Sequence, residues 1–348
     1  SSNEYNPLVD VFEQQPESSE QMSYSAPVRS IDEINATLND QQKAAAEHLE
    51  GAVLINAGAG AGKTKTMIHR VATMIYSGIP PTNIMLLTFT NKAAGEIKDR
   101  LQGMVGDHAQ YICSGTFHSI VFRQILQKYP DSTTLTDLGV NMEQATILDE
   151  DDSVDVMKDA MKAALDPDEL KVAKDEGWTP SRILKVMNFA RAHGQDRHAF
   201  RRTINPGDPD ELFHQFVEKC WGDYDKGCRA VNGIDFSDIL VFADKMLKQE
   251  PAIADEVSRQ FKYVIVDEAQ DTNPVQYSIV KKVCTHNNLG FVGDFRQSIY
   301  RFNGAEPRVL EYFKKEFNNV KTYEIETNYR SKKLITDRKS TRLNSSHK

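Results

Sequence analysis

Long apolar runs are missing from this 348-residue chain. No stretch approaches the roughly 20 residues that cross a bilayer, and no basic-then-apolar leader opens it, so a soluble protein with no membrane partner is expected. Cysteine is scarce: Cys113, Cys220, Cys228 and Cys284 form no Cys-x-x-Cys pair and have no histidine at metal spacing. That argues against zinc and against a disulfide framework, and points to reduced thiols in a cytoplasmic protein. Excess positive charge is also lacking. With 42 Lys+Arg against 50 Asp+Glu the net charge is −8, so the chain does not coat nucleic acid by bulk charge and any such site must be local.

Apolar content, at 40%, is ample for burial, and the length implies two domains or slightly more. Residues 1–30 are polar and carry Glu4, Asp10, Glu13, Glu17 and Glu20 against Arg29 alone. Their composition is that of a disordered acidic tail, able to recruit a protein partner. Residues 338–348 are a polar basic string that continues no pattern and read as a non-native tail.

The most informative stretch is Val-Leu-Ile-Asn-Ala-Gly-Ala-Gly-Ala-Gly-Lys-Thr-Lys-Thr, residues 53–66. An apolar strand pattern runs into alternating small residues, and Met67, Ile68, Val71, Met74 and Ile75 then recur at helical spacing. This is the context of a phosphate-binding loop built from Ala57, Gly58, Ala59, Gly60, Ala61, Gly62, Lys63, Thr64 and Lys65. Small side chains let backbone N–H groups close on a triphosphate, and the helix N-terminus adds partial positive charge. Lys63 would reach the β- and γ-phosphates and the Thr64 hydroxyl would hold Mg2+, so ATP and Mg2+ are the expected cofactors. Ala57 stands where the strict pattern has glycine.

Strand patterns at 83–89 and 111–117, each followed by a helical pattern, extend the motif into βαβ units and a parallel sheet. Residues 130–221 show amphipathic segments and no convincing strand. Strand patterns return at 262–268 and 289–294, so a helical insertion interrupts one α/β domain, and a second α/β unit is expected to begin at 321–326. The strand at 264–266 ends in adjacent carboxylates, Asp267 and Glu268. Asp267 suits magnesium, and Glu268 suits taking a proton from an attacking water.

Gln42, residues 57–64, Thr88-Phe89-Thr90-Asn91-Lys92-Ala93-Ala94, Gly115-Thr116-Phe117-His118-Ser119, Asp267-Glu268-Ala269-Gln270-Asp271, Gly293-Asp294 with Gln297-Ser298-Ile299-Tyr300, and Asn328-Tyr329-Arg330-Ser331 occur in one order. That order resembles the N-terminal part of superfamily 1 helicases of the UvrD/Rep/PcrA type. The resemblance implies an α/β, P-loop RecA-like motor domain at 31–128 and 222–303, a helical insertion at 129–221, and the beginning of a second motor domain at 304–337. It implies that Gln42 reads the adenine edge, Tyr329 stacks on the adenine, Gln297 senses the γ-phosphate, and Arg330 is an arginine finger. Lys63, Glu268, Gln297 and Arg330 then form the catalytic set. For single-stranded DNA, Phe89, Tyr300 and Phe302 are the expected stacking platforms and Asn91, Thr116 and His118 the polar contacts, while Phe117 is assigned to the core. Phe295, Arg296 and Asn303 depart from residues common in the family.

The implied activity is an ATP-dependent DNA helicase or translocase fragment acting on single-stranded DNA and single/double-strand junctions. It would be a monomer, nucleoid-associated if the source is bacterial, that binds nucleotide but unwinds poorly alone. A nucleotide-binding adaptor without motor activity and the motor part of a helicase–nuclease are the alternatives.

Overall fold

The computed structural model describes residues 29–58, 60, 62–297 and 304–326. Strands β1 (Val53–Ala57), β2 (Ile84–Thr88), β3 (Cys113–Thr116), β4 (Thr146–Ile147), β5 (Gly233–Ile234), β6 (Tyr263–Val266), β7 (Leu289–Gly293) and β8 (Lys321–Ile325) fall into two sheets. The large one runs β3-β2-β6-β7-β1-β8, with every neighbouring pair parallel. Parallel strands need crossover helices, and these cover both faces. Leu54, Met85, Leu87, Val264 and Val266 therefore point into one core, while Val53, Ile55, Ile84, Leu86 and Ile265 point into the other. Burial on both faces is why these strands read as unbroken apolar runs rather than alternating ones.

The helix Lys63–Tyr76 follows β1, and the residues singled out from its periodicity, Met67, Ile68, Val71, Met74 and Ile75, are all buried. The helix Asn91–Val105 is capped by Thr90, whose hydroxyl accepts from the Ala93 N–H at 3.1 Å. After β3 the expected helix begins at Phe117–Val121 and widens into a π turn over Phe122–Leu126.

Helices Glu150–Ala164, Pro167–Glu176, Pro180–Ala192, Arg197–Arg202 and Glu211–Ala230 enclose a separate core around Met157, Met187, Val217, Cys220, Trp221 and Tyr224. The chain enters and leaves this helical body beside the parallel pair β4–β5. Two boundaries differ from those read in the sequence. Leu135, Val140 and Ile147 pack into the α/β core, so the helical body begins near Leu148 rather than at 129. At its far end, the helix Glu211–Ala230 runs through the expected boundary at 221/222, because its buried stripe continues to Tyr224 and Cys228.

The strand expected to open a second α/β unit is instead the edge of this sheet: β8 pairs with β1 from Val53↔Lys321 to Ala57↔Ile325. The preceding helix, Arg308–Glu316, buries Val309 and Phe313 against the same core. A strand's composition shows that it will pair but not with which partner, and Lys321, Thr322 and Glu324 remain exposed as on an edge. Residues 327–337 lie outside the described residues.

Candidate nucleotide and DNA site

In a parallel sheet the loops at the C-terminal ends of the strands gather at one edge, where ligands bind. Here β1 leads into the phosphate loop, β6 into Asp267 and Glu268, β7 into Asp294–Gln297, β2 into Phe89–Asn91, and β3 into Thr116–His118. One edge thus carries both sets of sequence candidates, with the phosphate side on β6, β7 and β1 and the DNA side on β3 and β2.

Lys63 is the first residue of its helix, behind Gly62, which is left-handed at φ 74°. The Lys63 ammonium forms an ion pair with Glu268 and lies 3.6 Å from Asp267. Asp267 is 3% exposed, and burial raises its carboxyl pKa against the opposing pull of Lys63. Glu268 has φ 51°, a backbone conformation that L-residues with long side chains seldom adopt. Asp267 supports that turn by accepting the Glu268 N–H at 2.8 Å.

Crowding in the loop is specific. A Cβ added to Gly62 would come 2.5 Å from Nε2 of Gln42, and one added to Gly58 would come 2.9 Å from a guanidinium nitrogen of Arg296. Gln42 accepts the Asn39 N–H at 3.0 Å in a capping box, which fixes its amide beside the phosphate loop. Arg296 places a cation beside Gly58 of that loop. Backbone approach at Gly58 and Gly62, a helix N-terminus, and the hard oxygen donors of Thr64 and Asp267 fit a magnesium-bound triphosphate.

Other candidates are placed differently. The Lys65 ammonium donates to the Thr37 carbonyl at 3.1 Å, which turns it away from the loop. Phe117 is in the core, 1% exposed, and the half-buried Phe89 stacks on it at 6.1 Å with 22° between planes. Thr116 is 1% exposed and caps the helix Phe117–Val121 by accepting the Ser119 N–H at 3.3 Å, so it holds the loop from inside rather than facing solvent. Asn91 begins the helix after β2, and His118 is half-buried with its pKa pushed down to about 4 by burial. Gln297 ends a short helical turn, Phe295–Gln297. Ala59, Ala61, Tyr300, Phe302, Tyr329 and Arg330 lie outside the described residues.

Two side chains at this edge, Asn56 and Gln270, make contacts that the sequence pattern does not show. Asn56, in β1, accepts the Phe295 N–H at 3.1 Å and donates to Glu324 at 2.9 Å, tying the β7 loop to the sheet edge. Gln270 bridges Glu268 and the Asp294 N–H. Phe189, 48% exposed, packs against His193 with ring centroids 4.3 Å apart and 33° between planes. That pair lies beside Gly304, where a Cβ would meet Ala192 at 2.7 Å.

Comparison with known proteins agrees with this geometry. A family model described as the UvrD/REP helicase N-terminal domain matches residues 38–318. The ATP-dependent DNA helicase PcrA of Bacillus subtilis (strain 168) is 35% identical over 301 residues, 86% of this chain and 38% of the relative. The DNA helicase II of Rickettsia typhi (strain ATCC VR-144 / Wilmington) is 33% identical over 297 residues, covering 85% and 43%. The PcrA of Staphylococcus aureus (strain Mu50 / ATCC 700699) is 33% identical over 301 residues, covering 86% and 38%. The chain thus spans about two fifths of the length of the curated relatives it matches. No helix among the described residues is long and apolar enough to cross a membrane.

Proposed function

Because this chain belongs to the UvrD/REP helicase N-terminal domain family, we propose that it binds magnesium-ATP at the ends of β1, β6 and β7 and hydrolyses it in response to single-stranded DNA. The observation that carries this reading is the convergence of Asp267 and Glu268, from the end of β6, on Lys63 of the phosphate loop, each within ion-pair reach of its ammonium. In this assignment Lys63 binds the β- and γ-phosphates, and Gln42 orients the base at the loop's flank. Glu268 holds the attacking water and accepts its proton on a carboxylate oxygen. Thr64 and Asp267 would hold magnesium, which supplies neutralisation of the phosphate charge when bound. Gln297, Tyr329 and Arg330 complete the proposed set as sensor, adenine stack and finger.

Single-stranded DNA is proposed to cross the ends of β2 and β3. Phe89 and Asn91 face it there, His118 supports the loop, and Phe189 extends the track beside Gly304. In the whole protein this hydrolysis would drive translocation and strand separation.

The test is ATP turnover by the full chain with and without single-stranded DNA. DNA-stimulated turnover that falls about 100-fold or more in Lys63→Ala supports the hydrolase. Nucleotide binding without turnover supports the adaptor instead, and no nucleotide binding at all sinks both.

A further inference from the structure

The Gln270 side chain spans the gap between β6 and β7. Its Nε2 donates to Oε2 of Glu268 at 2.7 Å, and its Oε1 accepts the backbone N–H of Asp294 at 3.2 Å. Both functional ends of the amide are thereby used, which fixes its orientation and rules out a flipped arrangement. Gly293 makes room for it, since a Cβ there would collide with Oε1 of Gln270 and come 3.1 Å from the Ala269 nitrogen. Asp294 in turn accepts the Arg296 N–H at 3.2 Å, at the start of the turn that carries Gln297.

Glu268 needs such a partner. Its backbone is left-handed, its side chain is 38% exposed, and its carboxylate also forms an ion pair with Lys63. A phosphate-bound Lys63 shares its three donors between phosphate oxygens and that carboxylate, whereas the Gln270 amide carries no charge to be drawn away.

We propose that Gln270 is a positioning residue for hydrolysis: it holds the Glu268 carboxylate in place and ties that position to the β7 loop through the Asp294 N–H. The proposal rests on the hydrolytic reading above. Movement of the β7 loop then changes where the proton-accepting carboxylate points, which gives that loop a mechanical route to the chemistry. The route consists of two hydrogen bonds.

The experiment compares wild type, Gln270→Ala, Gln270→Glu and Glu268→Gln in the full chain, measuring DNA-stimulated ATP turnover across pH 5.5–8.5 and binding of ADP alone and of magnesium-ADP with aluminium fluoride. Gln270→Ala is expected to lower kcat by about 10–100-fold with KM for ATP within about threefold, and to weaken the aluminium fluoride complex about tenfold while leaving ADP binding unchanged. In Gln270→Glu the introduced carboxyl can donate to Glu268 only when protonated. Its kcat is therefore expected to recover as pH falls, a recovery that Gln270→Ala lacks.

Wild-type kcat and pH profile in both Gln270 variants, with Glu268→Gln inactive, would overturn the positioning role and leave the hydrolytic reading standing. Equal loss of ADP and aluminium fluoride binding in Gln270→Ala would also overturn it, as damage to the site as a whole. Absence of turnover and of aluminium fluoride complex formation in wild type would remove the hydrolytic reading and this inference together.

Discussion

Arg191 donates two parallel hydrogen bonds to Asp235, at 2.9 and 2.8 Å, and joins the two bodies of the molecule. Arg191 lies in the last turn of the helix Pro180–Ala192 of the helical body, while Asp235 caps the helix Phe236–Gln249 of the α/β body. Both are buried. Arg191 also reaches Asp238 at 2.5 Å, Arg229 meets Asp238 at 2.9 Å, and the Tyr224 hydroxyl donates to Asp235 at 2.6 Å. Burial alone would raise both carboxyls. Arg191 nevertheless holds Asp235 below its ordinary value, whereas Asp238, facing Asp235 as well, is pushed up to about 7.

Removing one member of this cluster leaves buried charge uncompensated. Arg191→Met is expected to lower stability by about 3–5 kcal/mol in urea unfolding. A loss under about 1 kcal/mol would show that water or rearrangement satisfies the carboxylates and that the cluster is no structural lock.

His118 predicts a pH dependence. Burial disfavours its cation, and the charge of Asp235 offsets this only in part, so the folded pKa of about 4 lies below the ordinary imidazole value near 6.5. Between those values the unfolded chain binds more protons than the folded one, so stability is full above about pH 6.5 and falls as pH drops toward 4. His69 and His286 are lowered in the same direction, again mainly by burial. Unfolding free energy measured in urea from pH 7 to 4.5 should decline less steeply in His118→Gln, by up to roughly 3 kcal/mol. Identical slopes would remove His118 as a contributor.

The two left-handed glycines of the phosphate loop separate backbone strain from a side-chain collision. Gly60, at φ 78°, has nothing within 4 Å of an added Cβ, whereas Gly62, at φ 74°, would collide with Gln42. Alanine at either position meets a left-handed penalty of about 1–2 kcal/mol. Gly62→Ala alone should also displace Gln42, so its loss of ATP affinity should exceed that of Gly60→Ala by about tenfold in calorimetry. Equal losses would mean that Gln42 is not part of the nucleotide site.

All four cysteines are buried free thiols. Burial pushes Cys113, Cys220 and Cys228 up to about 12 and raises Cys284 further. A thiol held protonated is a poor nucleophile. Native protein at pH 8 should therefore react with iodoacetamide at least about tenfold more slowly than the urea-unfolded chain, as read by intact mass. Rapid labelling of any one cysteine would show that its core opens locally.

Much of the site is legible in the sequence because its chemistry is local. A strand, a run of small residues and a helix are contiguous around Lys63, and the acidic pair sits at the end of its own apolar strand. The readings that changed depend on partners far along the chain. Lys65 lies in the right loop yet bonds the Thr37 carbonyl, and Thr116 lies in the right motif yet is enclosed. Gln270 was visible within its motif, but its partner is a backbone N–H 24 residues away, which leaves no trace in composition.

By itself, then, the sequence determined the elements and the identity of the reactive groups, since strand and helix periodicity and small-residue loops act over short separations. Only the tertiary structure decided that β8 closes the edge of the first sheet, that Arg191 clamps the helical body to the α/β body, and that Gln270 connects the two loops across the site. Each of those choices is made by burial and hydrogen-bond satisfaction among residues distant in sequence, where several pairings share one local pattern and only packing selects among them.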